Sequence, residues 1–308
     1  MTDKLQKFMF PDATVRGELV ELNLTWKHVL AHQSYPLPVQ NLLGELLTAA
    51  ALLCSNLKFD GSMIMQIHGD GAIKLLVVEC NERLQLRAMA KLAENAVITD
   101  HTTLADMVNV HGRGRFAITL DPSNKLPGQQ AYQGIVPLEG DSIAEVIENY
   151  MKQSEQLDTK LWLASDTHIC RGLLLQRLPY HGGTIDSAAA EDHEETWQRA
   201  KVLGSTLKRD ELLSTTTDTL LHRLFWDETL QVFERVSVSF SCSCSREKVG
   251  NMLTMLGQAE VTEAVTSLGK LDVNCDFCGK PYVFDAVDCA QLFIPPESTI
   301  ILESDQTH

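Results

Sequence analysis

Cys275-Asp-Phe-Cys278-Gly279, preceded by Cys242-Ser-Cys244, is the stretch that decides how the C-terminal part of this chain folds. A C-x2-C followed by glycine has the form of a zinc knuckle, in which backbone amides point at the sulfurs and the glycine takes a positive φ. Four thiolates can hold one zinc ion, or each close pair can oxidise to a disulfide, and the two states exclude each other. The spacing predicts that Cys242, Cys244, Cys275 and Cys278 bind one zinc ion.

The cysteine pattern alone leaves two interpretations of that site open. In the first, zinc is permanent and only stabilises a unit of roughly fifty residues, which is too small for a robust core of its own. In the second, the thiolates react with peroxide, and a disulfide then removes two ligands and releases the metal. A disulfide across C-x-C would be strained, and strained disulfides are typical of labile, regulatory bonds.

The other four cysteines do not share this spacing. Cys54 lies in an apolar helical pattern, Cys80 in a strand pattern, and Cys170 beside an isoleucine, so we expect three buried structural thiols. Cys289 lies in the last predicted helix, and the sequence leaves open whether it packs inward or is an extra thiol near the zinc site.

Composition excludes several classes of protein. The length of 308 residues predicts two or three folded parts. The hydrophobic fraction of 44% is ordinary for a globular protein. Its formal charge of −15, from 41 acidic and 26 basic residues, disfavours a nucleic-acid partner. No apolar run approaches eighteen residues, and the N-terminus lacks a secretory pattern, so we expect a cytoplasmic protein with no membrane span.

Residues 1–182 have the pattern of an α+β domain with antiparallel strands and packing helices. Helices are predicted after Pro38, from apolar residues at three- and four-residue spacing, and after Ser142, which with Glu145 forms a capping-box pattern. Asp70-Gly71 predicts a type I′ hairpin turn. The predicted strands cover residues 13–24, 63–67, 73–78, 84–89, 115–120, 132–138, 161–164 and 173–178.

Composition changes after Pro179, and residues 183–236 contain only weak helical patterns, interrupted at Gly204 and in the Ser214–Thr217 run. Short helices with narrow apolar faces are marginal in water, so we interpret this segment as a metastable helical linker that is folded only while docked. Residues 237–294 form the small zinc-binding domain, with helix caps at Ser245 and Asp285, and residues 295–308 form a polar tail.

Two further motifs indicate no chemistry. His111-Gly-Arg-Gly-Arg115 is basic and glycine-rich, but it lacks the Lys-Ser/Thr of a phosphate-binding loop and leads into a strand, which favours a turn. No nucleophile and base stand in a catalytic arrangement, so we expect a protein that is not an enzyme.

Stretches along almost the whole chain match one family in the right order. They are Cys242-Ser-Cys244, Cys275-Asp-Phe-Cys278-Gly-Lys-Pro-Tyr-Val-Phe-Asp285, Tyr132-Gln-Gly-Ile-Val-Pro-Leu138, Ile143-Ala-Glu145, Tyr150, Ser154-Glu-Gln156 and Gly172-Leu-Leu-Leu-Gln-Arg-Leu-Pro179. By these residues the chain resembles the redox-regulated 33-kDa heat-shock chaperone family of bacteria (HslO type). The cysteine pattern is the most specific part of the resemblance.

The resemblance implies an ATP-independent holdase that binds unfolding and oxidatively damaged client proteins under oxidative stress. It implies that the reduced, zinc-bound protein is inactive. It also implies that oxidation links Cys242 to Cys244 and Cys275 to Cys278, with loss of zinc and unfolding of the linker. The resemblance further implies that the active form is a homodimer and that the C-terminal domain is a redox switch.

A physical hypothesis follows for client binding. Unfolding of the linker helices would expose apolar side chains that bind unfolded segments, namely those of Trp197, Leu203, Leu224, Phe225 and Trp226. Two other functions remain open at this stage. One is a zinc-ribbon adaptor, for example for ribosomes or polymerase, with an inert structural zinc. The other is a thiol oxidoreductase that uses the C-x2-C pair.

Overall fold

The computed structural model describes residues 3–294 apart from residues 12, 126, 127, 129 and 180–186. The chain divides into two compact units, Met1–Cys242 and Ser243–His308. The beginning of the predicted linker, residues 183–186, and the whole predicted polar tail lie outside the described residues. The first unit contains both the predicted sheet domain and the described part of the linker.

An eleven-stranded sheet organises the first unit. Its strands are β1 (Asp3–Met9), β2 (Val15–Leu22), β3 (Gly61–His68), β4 (Ile73–Asn81), β5 (Gln85–Leu92), β6 (Arg115–Pro122), β7 (Tyr132–Pro137), β8 (Thr159–Ser165), β9 (Cys170–Arg177), β10 (Gln231–Val232) and β11 (Val236–Phe240). They follow the order β7-β6-β3-β4-β5-β11-β1-β2-β9-β8, with β10 also on β1. Every pair among these described strands is antiparallel except β5–β11. The predicted α+β fold is confirmed.

Seven helices of the first unit are described. They are α1 (Leu24–Leu30), α2 (Leu37–Cys54), α3 (Leu104–Val108), α4 (Ile143–Ser154), α5 (Ser187–Ser205), α6 (Arg209–Ser214) and α7 (Thr217–Leu224). Helix α2 is long and apolar enough to cross a membrane, but most of it is buried in the protein. It packs on β8 and β9, and its apolar residues form the centre of the largest core cluster. It is therefore the core helix that the apolar spacing predicts.

Strand β1 and the start of α1 were not predicted from the sequence. The Asp3 carboxylate of β1 accepts hydrogen bonds from the backbone amides of Asn23, Leu24 and Thr25, at 2.9, 3.0 and 2.7 Å. These amides belong to the first turn of α1, which has no helical acceptors for them. The cap comes from a residue about twenty positions earlier in the chain, so local sequence patterns do not reveal it.

Strand β11 lies in the main sheet and not in the C-terminal unit, where the predicted boundary at residue 237 placed it. It pairs with β1 on one side and with β5 on the other, and it thereby joins the two halves of the sheet. Val238 is only 3% exposed and belongs to the largest core cluster. The physical reason for the difference is that the strand buries its apolar side chain and finds backbone partners along both edges.

The β3–β4 hairpin forms as predicted, but its turn is not type I′. That turn needs a positive φ at both central residues, and neither Asp70 nor Gly71 has one. Asp70 instead accepts hydrogen bonds from the amides of His111 and Arg113, at 3.0 and 3.1 Å. The glycine-rich motif His111–Arg115 is therefore a turn, and two of its backbone amides donate hydrogen bonds to the Asp70 carboxylate.

The capping pattern before α4 is half formed. The Ser142 hydroxyl accepts a hydrogen bond from the Glu145 amide at 3.2 Å. The Glu145 carboxylate does not return to Ser142, because it accepts a hydrogen bond from the Asp141 amide at 2.7 Å. Ser142 is still the residue at which the helix begins, as predicted.

The described part of the second unit, residues 243–294, contains three helices and a hairpin. Its elements are α8 (Arg246–Leu256), α9 (Gln258–Leu268), β12 (Leu271–Asn274), β13 (Pro281–Phe284) and α10 (Ala286–Gln291). Ser245 caps α8, and Asp285 forms a capping box with Asp288 at α10, as the sequence predicts. Gly257 and Gly269, with φ of 101° and 78°, end α8 and α9.

A pH dependence of stability follows from Glu45 of α2. Burial raises the pKa of its carboxyl to about 7, while the nearby Arg209 guanidinium acts in the opposite direction. Because the pKa of Glu45 is higher in the folded than in the unfolded protein, the carboxyl leaves the free energy of unfolding unchanged below about pH 4.5. Between about pH 4.5 and 7 it lowers that free energy progressively as the pH rises. We expect Glu45→Gln to raise stability at pH 8 by on the order of 2 kcal/mol and to leave it unchanged at pH 4. Urea unfolding of both proteins at the two pH values measures this. Equal differences at both pH values would contradict it.

Candidate metal centre and the linker-covered sheet face

The four cysteines of the predicted site lie at the ends of short elements. Cys242 follows β11, and Cys244 directly precedes the cap of α8. Cys275 and Cys278 lie in the turn that joins β12 to β13, so the hairpin fixes this pair. Each cysteine therefore follows or precedes a hydrogen-bonded element that limits the movement of its backbone.

The C-x2-C turn has the geometry that its glycine predicts. The Gly279 amide donates to the Cys275 carbonyl at 2.8 Å, and the Cys275 amide donates to the Lys280 carbonyl at 3.0 Å. Gly279 has a φ of 68°, in the left-handed region that favours glycine. This tight turn brings the two sulfurs to the same side of the hairpin.

The four sulfur atoms meet in one cluster. All of them lie within 4.8 Å of one another, and the Sγ atoms of Cys244 and Cys278 are 3.5 Å apart. A tetrahedral zinc site with Zn–S bonds of about 2.3 Å has sulfurs about 3.8 Å apart. The donor set and its spacing therefore fit one thiophilic metal ion, and we find the four predicted residues together.

Two side chains that the sequence analysis missed donate hydrogen bonds to these sulfurs. The Tyr282 hydroxyl of β13 donates to Cys244 Sγ at 3.1 Å. That hydrogen bond, followed by burial and by the negative charges of Cys244, Cys278 and Cys275, raises the pKa of Tyr282 to about 12. Arg87 of β5 donates through Nη1 to Cys242 Sγ at 3.6 Å. Tyr282 lies four positions after Cys278, in the stretch Cys275–Asp285 that carries the family resemblance, so its place near the cysteines could have been predicted. Nothing in the sequence links Arg87 to Cys242.

A small apolar cluster supports the second unit. Its buried members are Leu253, Val261, Val265, Leu271, Tyr282, Phe284 and Cys289. The Arg246 guanidinium lies 4.2 Å from the centre of the Phe284 ring and pairs with Asp288 at 2.7 Å. Seven apolar residues are buried in this cluster among the described residues of the unit, which gives little hydrophobic stabilisation, and a bound metal would add much of what is lacking.

The remaining cysteines are buried. Cys54, Cys80 and Cys170 lie in the first unit at 3%, 0% and 0% exposure, as predicted for structural thiols. Burial raises the pKa of the Cys80 and Cys170 thiols. Cys289 is 3% exposed and packs inward, and burial raises the pKa of its thiol as well. Neutral, inaccessible thiols react slowly with oxidants.

The described linker helices α5, α6 and α7 cover one face of the sheet half formed by β1, β2, β9 and β8. We call this surface the covered sheet face, and its residues are Phe8, Phe10, Val15, Leu19, Ala164, Leu173 and Leu175. The Phe225 ring, just after α7, packs against the Phe8 and Phe10 rings with centroids 5.5 and 5.4 Å apart. The helices thus hide an aromatic and aliphatic surface.

The predicted client-binding side chains occupy different environments. Trp197, Leu224 and Phe225 are buried against the covered sheet face, and Leu203 is partly buried there. Trp226 is 72% exposed in this state, so movement of the helices would not uncover it. Gly204 does not interrupt the linker as expected. It lies inside α5, where the Trp162 ring leaves no room for a Cβ.

Polar contacts also hold the linker helices on the sheet. Arg171 of β9 is 4% exposed and donates to the Leu212 carbonyl at 3.0 Å and to the Thr215 carbonyl. Arg209 of α6 donates to the Ser165 carbonyl of β8. The carbonyls at the end of α6 have no helical partners, so a buried arginine satisfies them.

Comparisons with known proteins agree with this architecture. A family model described as Hsp33 protein matches residues 3–285. The chain is 48% identical over 291 residues to the 33 kDa chaperonin of Chromobacterium violaceum, covering 94% of each. It is 43% identical over 293 residues to that of Pseudomonas aeruginosa strain LESB58, covering 95% of each. The crystal structure of the 33 kDa chaperonin from Thermotoga maritima matches with a TM-score of 0.74 and 22% identity, covering 94% of this chain and 97% of that one.

Proposed function

Because the chain belongs to the Hsp33 protein family of chaperones, we propose that it is a redox-regulated, ATP-independent holdase that binds unfolding and oxidatively damaged proteins. The observation that carries this proposal is the four-sulfur cluster at the end of β11. A site of four clustered thiols can exist either as a metal site or as disulfides.

In the reduced state, Cys242, Cys244, Cys275 and Cys278 hold one zinc ion. When bound, zinc keeps the four sulfurs as thiolates and crosslinks the C-x-C segment to the hairpin turn. Tyr282 orients the Cys244 sulfur by its hydrogen bond. With the crosslink in place, the second unit stays compact and β11 ends at a fixed point.

Oxidation changes the bonding of the same sulfurs. Two thiolates and one peroxide molecule give one disulfide and two hydroxide ions, so the S–S bond forms as the O–O bond breaks and two electrons pass to oxygen. The proposed pairs are Cys242–Cys244 and Cys275–Cys278. Each disulfide removes two ligands, and a site left with two sulfurs no longer retains the metal.

Chain continuity in the first unit carries this change to the linker. From α7 the backbone runs along β1 as β10, continues between β1 and β5 as β11, and reaches Cys242 two residues later. The Gln6 side chain and the Lys7 carbonyl bind the Phe233 backbone between these strands, at 2.5 and 3.0 Å. When Cys242 is no longer held by the metal, the attachment of β10 and β11 to the sheet weakens. Because these strands follow α7 directly in the chain, the docking of α6 and α7 weakens with them.

Undocking uncovers the surface that captures clients. Trp197, Leu203, Leu224 and Phe225 would then be available together with the covered sheet face, and the already exposed Trp226 would extend the patch. Apolar surface of this kind binds unfolded segments and competes with their aggregation. Residues 183–236 are thus the proposed metastable linker and residues 1–182 the proposed core. The proposed redox switch consists of Cys242 and the second unit up to residue 294, because β11 belongs to the main sheet.

The remaining features follow from the same proposal. Binding without turnover requires neither ATP nor a catalytic group, so the protein acts as a chaperone and not as an enzyme. The exposed apolar surface of the oxidised chain would pair two copies into a homodimer. A reducing cytoplasm suits thiolates that must stay reduced until stress, and the acidic surface disfavours nucleic acid as a partner.

Zinc release and aggregation of a heat-denatured client test the proposal when they are followed together. We expect the reduced protein to contain one zinc per chain and to suppress light scattering weakly. After peroxide with mild warming, zinc should be free in solution and scattering should fall. Zinc that stays bound after peroxide would favour an inert zinc-ribbon adaptor. Turnover in a disulfide-reduction assay would favour a thiol oxidoreductase.

A further inference from the structure

The Arg87 guanidinium donates hydrogen bonds both to the Glu79 carboxylate and to the Cys242 sulfur of the candidate metal site. Its Nε and Nη2 bind the Glu79 carboxylate of β4, with an Nε distance of 2.9 Å, while Nη1 donates to Cys242 Sγ at 3.6 Å. The Arg87 and Glu79 side chains are 17% and 20% exposed. Hydrogen bonds from a cation are stronger than neutral ones, and partial burial reduces their screening by water.

The register of the sheet places Arg87 beside Cys242. Phe240 of β11 pairs with Leu86 of β5, and the Ser241 amide donates to the Leu86 carbonyl at 3.0 Å. Arg87 follows Leu86 on β5, and Cys242 follows Ser241, two residues after the end of β11. Because β4 and β5 pair along their length, Glu79 lies opposite Arg87 and holds the guanidinium in this position.

We propose that Arg87 is a positioning residue that ties the Cys242 thiolate to the main sheet and thereby couples metal binding to the attachment of β11. This inference rests on the proposed zinc site. A thiolate is a charged acceptor for a guanidinium, whereas a disulfide sulfur is neutral and accepts weakly. The contact therefore stabilises the reduced state and is lost when Cys242 enters a disulfide.

The consequence for the sheet lies at the β5–β11 pair. Backbone hydrogen bonds from Ser239 to Leu84 and from Ser241 to Leu86, at 3.1 and 3.0 Å, attach β11 along a short stretch. The Arg87 contact is a side-chain link just beyond that stretch, at Cys242. Its loss leaves the end of β11 dependent on these backbone hydrogen bonds and on the stacking of Phe240 against His28.

An Arg87→Met variant tests the inference in the full-length reduced protein. Competition with a chromogenic chelator should show zinc binding weakened about tenfold, as expected for loss of a group that orients a metal ligand. After replacement of zinc by Co(II), the sulfur-to-cobalt charge-transfer bands should shift, because one thiolate has lost a hydrogen bond. Arg83→Met is the matched control, since the Arg83 side chain is 79% exposed and forms a surface ion pair with Glu82 at 3.4 Å. Its affinity and spectrum should match the wild type.

Two further variants keep the test decisive. If Arg87→Met is unstable because Glu79 is left unpaired, the double variant Glu79→Gln/Arg87→Met removes that charge and should still weaken zinc binding. Arg87→Lys keeps the charge without the planar fork and should give an intermediate affinity. Affinity within twofold of wild type, with an unchanged cobalt spectrum, would overturn the role of Arg87 while leaving the metal site intact. A wild-type protein that binds no zinc would overturn the proposed function itself.

Discussion

Replacing Arg171 by methionine is expected to give a protein that prevents aggregation while reduced and zinc-bound. Arg171 is buried and satisfies two carbonyls at the end of α6, and it also pairs with Glu21 of β2. Methionine fills similar space but leaves these acceptors without a donor. Removing one partner from a buried group of hydrogen bonds and ion pairs lowers stability by on the order of 3–5 kcal/mol. That cost falls on docking of the linker helices, because Arg171 itself stays in β9.

Light scattering of a denatured client, with zinc content measured in the same sample, checks this result. Limited proteolysis should also cut the linker helices α5 to α7, residues 187–224, faster in the variant. Arg223→Met is the matched control, since Arg223 is 60% exposed and its pair with Glu211 at 3.4 Å is a surface ion pair worth about 1 kcal/mol at most. A reduced Arg171→Met protein whose linker is cut fast but which stays inactive would show that linker docking does not limit activity. A linker that stays protected would show that Arg171 does not hold the helices on the sheet.

The second large effect is expected from Cys278→Ser. One of four ligands contributes on the order of a quarter of the 10–16 kcal/mol that structural zinc supplies, so affinity should fall about a hundredfold or more. The second unit should then lose its fixed structure, because its apolar cluster is small. We expect zinc to be absent after dialysis and client binding to appear without peroxide.

Cys289→Ala is the control for this substitution. Cys289 is buried in the same unit but is not one of the four clustered sulfurs. The variant should keep one zinc per chain and remain inactive when reduced. Full zinc occupancy in Cys278→Ser would remove that residue from the ligand set, and zinc loss in Cys289→Ala would indicate that the site responds to any weakening of the unit.

The sequence predicted those features that depend on nearby residues. The knuckle at Cys275 and Cys278, the positive φ of Gly279, and the caps at Ser245 and Asp285 each involve groups within a few positions of one another. Such patterns can be recognised because local hydrogen bonding determines them. The apolar spacing of α2 likewise identified the central core helix.

Features that depend on distant partners were missed. Arg87 bonds to Cys242, 155 positions later in the chain, and Arg171 bonds to Leu212, 41 positions later. The residues next to each arginine in the sequence form no motif that indicates these partners. The alternating pattern of β11 shows that it is a strand but not that it joins β1 and β5 of the main sheet. The hairpin turn at Asp70 differs from type I′ because the carboxylate binds a loop about forty residues away.

In the proposed mechanism, the metal state of the cysteine cluster controls docking of the linker helices. Hydrogen exchange of the α7 amides, measured by mass spectrometry on reduced protein before and after zinc is withdrawn by a chelator, tests it most directly. We predict that protection in α7 falls when zinc is removed, while the amides of α2 stay protected. Unchanged protection of α7 in protein shown by elemental analysis to have lost its zinc would contradict the account.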